Sequence, residues 1–151
     1  MPFKFRLEKV LKYRRRLLEL QTRQVAQANL VVEAIGQRLL DLDGQIRRQV
    51  EAERPGLNRT LSVEDLISRG RWIDHLEQQR GAVEKEQQEA RADLESERDK
   101  LTDAWRDLEV LEQLQKKQKE AWEEEQRKRE RQDLDELGQI RADRNRREKV
   151  S

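Results

Sequence analysis

One feature governs what this chain can become: two runs of apolar residues repeat every seven positions. The first runs through Leu11, Leu18, Val25, Val32, Leu39 and Ile46, with a companion row at Leu7, Arg14, Gln21, Ala28, Ile35, Leu42 and Gln49. Steps alternating three and four keep a narrow stripe on one side of a helix, which is the seam of a coiled coil. A second run has Leu66, Ile73, Arg80, Gln87, Leu94, Leu101 and Leu108, with Leu76, Val83, Ala90, Glu97, Ala104 and Leu111 as companions. Between them lies Arg54-Pro55-Gly56-Leu57-Asn58-Arg59-Thr60-Leu61-Ser62. Its proline removes a helical donor, and Ser62 is placed to cap the helix that follows, with Asp65 three residues on. The spacing predicts helix 1 over about 4–53, a turn over 54–62 and helix 2 over about 63–147, with Gly70 and Gly81 weakening the start of helix 2 and Gly70 a candidate break that would set 63–69 apart as a short turn of helix.

Composition agrees with an exposed helical rod and excludes a compact globule. Charged residues make up 43% of the 151 and hydrophobic ones 34%, against about 25% and 45–50% in ordinary domains. A turn this short favours antiparallel neighbours. With its centre near Asn58, residue i is expected to face about residue 116 minus i, which sets Leu39 near Leu76, and Leu11 near Ala104, Trp105 and Leu108. The apolar seam runs out at Leu111 and Leu114, so the fold class expected is all-α. It is a long two-helix antiparallel coiled coil in one domain, its second helix extending about 45 Å beyond the paired region. In that extension Trp122 and the Leu134, Leu137, Ile140 stripe are expected to lack intrachain partners.

The same residues limit the chemistry. His75 is the only histidine and cysteine is absent, so zinc sites, Cys/His pairs and Ser-His-Asp arrangements are not expected. Neither catalysis nor a cofactor is expected, and no signal peptide or membrane span is expected. Charge sorts along the chain: 11 basic and 7 acidic side chains over residues 1–53, 10 and 15 over 54–114, and 12 and 10 over 115–151. The cluster Lys4, Arg6, Lys9, Lys12, Arg14, Arg15 and Arg16 suits either solvent or an acidic partner. Nucleic acid is disfavoured by a formal net charge of +1 and by scarce aromatics. Trp105 reads as structural beside the seam. Trp72, near the turn, reads equally as a loop closure or a partner anchor, and Trp122 as a partner anchor.

The opening Phe3-Lys4-Phe5-Arg6-Leu7-Glu8-Lys9-Val10-Leu11-Lys12-Tyr13-Arg14 resembles that of the flagellar export FliJ family, Phe-x-Phe-x-Leu-x-x-Val-Leu-x-x-Arg. Looser resemblances are the Arg71-Trp72-Ile73 segment and the acidic stretch Glu130-Arg131-Gln132-Asp133-Leu134-Asp135-Glu136. The resemblance implies an antiparallel coiled coil similar to the central stalk of rotary ATPases, working in the cytoplasm, peripheral to the inner membrane beneath the flagellar type III export gate. It implies a non-enzymatic partner of the hexameric export ATPase, of the cytosolic domain of the export gate protein, and of export chaperones. Carried onto this chain, the ATPase-facing candidates are Phe3, Phe5, Arg14, Arg15, Trp122 and Leu137, and the gate-facing ones Trp72, Ile73 and Leu76, with Val83 beside them. Injectisome stalk proteins share the architecture. A generic coiled-coil adaptor and a nucleic-acid-binding hairpin stay open as alternatives.

Overall fold

The computed structural model describes residues 2–52 and 62–150 and consists of two long helices, α1 (Glu8–Ala52) and α2 (Val63–Val150), packed as an all-α hairpin. Most of the expected turn lies outside the described residues. Ser62 lies within them, and its Oγ accepts a hydrogen bond from the Asp65 amide at 3.2 Å, satisfying one of the donors left open at the start of α2. Ser62→Ala is expected to cost about 1 kcal/mol, read as a lower midpoint in urea with an unchanged slope.

Helix 1 begins later than its periodicity suggested. Pro2–Phe5 are not helical, and the first turn is set by the Glu8 amide donating to the Phe5 carbonyl at 3.2 Å. Helix 2 shows no break at Gly70 or Gly81. Both glycines are helical, none of the described glycines has a positive φ, and the cost of about 1 kcal/mol apiece is carried by the long run of good helix formers around them.

The chain divides into two compact units, one of residues up to Arg16 with Trp105 onward, the other Leu17–Ala104. In the second unit the core is Ile35, Val83 and Ala90, with Val32, Leu39 and Leu42 packed against it; Leu76 and Leu94 are also buried. In the first, Phe5, Leu11 and Leu108 are buried. These are seam positions apart from Phe5, whose ring comes from the non-helical lead. Leu66, expected in the seam, is exposed, and the position opposite it in this register, 57, lies outside the described residues.

The register departs from expectation by one heptad. Within each unit, residue i faces about residue 123 minus i, as Asp43 pairs with Arg80 in one and Glu8 with Gln115 in the other. Leu39 therefore packs beside Val83 instead of meeting the Leu76 region. A slip of seven leaves every seam position in the seam, so apolar periodicity alone cannot choose between the two registers. Of the polar seam residues Arg80, opposite Asp43, favours the observed one, whereas the Gln21–Glu97 pair lies between the two. Gln21 donates from Nε2 to the Glu97 carbonyl at 2.9 Å and to its carboxylate. Arg80 is held by Asp43 and, at 2.9 Å, by Glu84; chiefly through the hydrogen bond and the charge of Asp43, its pKa is raised above the ordinary guanidinium value.

Candidate functional site

The candidate residues near the start of the chain fall in the first unit. Phe3 sits on Trp122 with ring centroids 6.1 Å apart and planes tilted by 52°, a favourable aromatic geometry. This corrects the expectation that Trp122 lies in an unpaired extension. Pairing continues past Leu114 because the non-helical lead Pro2–Phe5 reaches further along α2 than a helix of the same residues would. Together Phe3, Trp122, Lys116 and Lys119 border a shallow depression of about 630 Å³.

Phe5 is buried, so its side chain holds the hairpin and is not presented outward. Arg14 and Arg15 bridge to Asp107 at 3.3 Å and Glu112 at 3.6 Å. All four side chains are well exposed, which puts each bridge at about 1 kcal/mol or less. The two arginines remain accessible, each facing a carboxylate of α2.

Beyond Gln126 every described residue of α2 is exposed, including Leu134, Leu137 and Ile140. This is the extension expected from the sequence, starting a dozen residues later than Leu114. It spans 127–150 and about 36 Å of helix.

The gate-facing candidates lie in the second unit, on the first turns of α2. Trp72 is exposed and stacks on His75 with centroids 5.5 Å apart. Ile73 is half-buried and Leu76 is 1% exposed. The structure thus divides this group: Trp72 offers a large apolar surface, while Leu76, with Val83, belongs to the packing that supports it. Trp105, expected to be structural, is 53% exposed. Its position flanks the seam instead of entering it. Its exposure was missed because any aromatic one step from a heptad position reads as packed.

Among the described residues no three His, Cys, Asp or Glu side chains are placed to hold a metal ion, and no helix is long and apolar enough to cross a membrane. The accessible features are apolar and basic surfaces on helices, which suits protein recognition. No curated protein and no solved structure matches the chain. The family described as flagellar FliJ protein matches residues 3–147. That match covers the opening motif, both helices and all but the last turn of the exposed part of α2: the chain belongs to the flagellar FliJ family and is an export-associated component of the flagellum.

Proposed function

We propose that this chain is a non-enzymatic stalk of flagellar type III export, binding the hexameric export ATPase through one unit and the cytosolic domain of the export gate protein through the other, and handling export chaperones. The observation that carries the proposal is the run of α2 from Arg127 to Val150, helical and exposed throughout. A helix with so few apolar residues draws little stability from the chain itself, and a partner that surrounds it supplies the missing contacts. Phe3, Trp122 and Leu137, with the basic side chains of Arg14 and Arg15, are the surfaces offered to the ATPase. Trp72 and Ile73 are those offered to the gate, at the cytoplasmic face of the inner membrane.

The test is capture of the purified ATPase and of the gate's cytosolic domain, with ATP hydrolysis followed in parallel. The chain is expected to raise the ATPase's hydrolysis rate while hydrolysing nothing alone. Trp72→Ala is expected to weaken gate capture about tenfold, the loss of one anchor worth roughly 1.4 kcal/mol, with ATPase capture unchanged. Hydrolysis by the chain itself, or an ATPase that neither binds it nor responds to it, refutes the proposal.

A further inference from the structure

The exposed part of α2 carries a pattern that reads the same from either end once the sign of charge is exchanged. Counted from Leu137, apolar side chains stand three residues away on each side, at Leu134 and Ile140. Carboxylates stand four and seven residues before it, at Asp133 and Glu130, and guanidinium groups four and seven residues after it, at Arg141 and Arg144. Steps of three, four and seven place all seven on one side of the helix. Leu134, Leu137 and Ile140 are 68%, 55% and 57% exposed. Among the described residues none of the four charges has an ion-pair partner.

We infer that a second copy of this chain covers this face, the two α2 helices running antiparallel about Leu137 over Glu130–Arg144. Leu137 then meets Leu137 of the second copy, and Leu134 meets its Ile140. Asp133 and Glu130 face its Arg141 and Arg144, and the same pairs recur by symmetry. A parallel pairing sets carboxylate against carboxylate and guanidinium against guanidinium, so only the antiparallel one uses the whole pattern. Because the contact is isologous it closes at two chains and cannot propagate. Just outside the window Arg127 and Lys128 face Arg147 and Arg146 of the second copy, which confines the contact to about four helical turns. The ion pairs are exposed and select orientation more than they add affinity, so the dimer forms at high protein concentration and weakens with salt. The face lies within the exposed run offered above to the export ATPase, so the second copy and the ATPase exclude each other there, and sedimentation of the chain alone reads the dimer whether or not the ATPase binds.

The test is sedimentation equilibrium of the full chain from about 10 µM to about 1 mM at low salt, the range in which association of about −4 to −7 kcal/mol is visible. The mass is expected to climb from 18.2 kDa toward twice that value. The double variant Arg141→Glu, Arg144→Glu and the double variant Glu130→Arg, Asp133→Arg are each expected to stay monomeric, since each carries one sign throughout. Mixed in equal amounts they are expected to restore the dimer, with circular dichroism showing both fully helical. A wild-type mass that stays at 18.2 kDa over the whole range overturns the inference, as does an all-acidic variant that self-associates as well as the wild type.

Discussion

Leu11→Ala is expected to cost about 2–5 kcal/mol, the range for emptying a fully buried leucine site. Leu11 is 0% exposed and lies in a core of very few residues, so little packed structure remains to collapse into the space it leaves. The change is expected to show as a large drop in the urea midpoint followed by far-UV circular dichroism. Leu20→Ala, on the same helix but 56% exposed, is expected to stay within about 0.5 kcal/mol of the parent. Equal losses at the two sites refute the assignment of Leu11 to the seam.

The second large effect has the opposite sign. Gln21 and Glu97 occupy seam positions and bond to each other, an arrangement that fixes register at a cost in stability. Replacing both by leucine is expected to raise stability by about 1–3 kcal/mol, from burial of two partly covered apolar side chains, while loosening the register. The chain has no cysteine, so introduced pairs report without interference. Arg38→Cys with Glu86→Cys, positions whose native side chains meet in a 2.8 Å ion pair, is expected to cross-link efficiently in the parent through a short bis-maleimide. In the leucine double variant part of that yield is expected to move to Arg38→Cys with Gln79→Cys, one heptad away. A leucine variant that is less stable, or that cross-links only at 38 and 86, shows the polar pair to be neither costly nor selective.

That register was the part of the fold the sequence did not disclose. The helices, the seam and the Ser62 cap were legible because each rests on local spacing: a side chain every three or four residues, or a hydroxyl three residues before an amide. Register rests on which turn of one helix faces which turn of the other, and a pattern with a period of seven is satisfied equally by a slip of seven. Arg38 opposite Glu86 and Arg14 opposite Asp107 carry the missing information. In the expected register Arg38 falls opposite Gln78 and Arg14 opposite Thr102, so weighing cross-helix charge would have favoured the observed one.

The candidate surfaces were legible in part. Trp72 and Leu137 stood out as large apolar residues in polar surroundings, and both are exposed. Phe5 and Leu76 carried the same signal and are buried, because an apolar residue that anchors a partner and one that anchors its own helix look alike until the register is known. Trp122 was separated from Phe3 for the same reason: the heptad slip and the non-helical lead together move the end of pairing eight residues, from Leu114 to Trp122.

The separation in sequence between facing groups has a kinetic side. It is 17 residues between Ala52 and Arg69 and 107 between Glu8 and Gln115, and each doubling of a closed loop costs about 0.6 kcal/mol of chain entropy. Pairs that close short loops therefore form at a smaller entropic cost than those of the first unit, whose two segments are far apart in sequence. Within that unit the Phe3–Trp122 contact, held by the non-helical lead, is expected to fray before the helical pairs beside it, which hydrogen exchange of the amides near Trp122 would register as early opening.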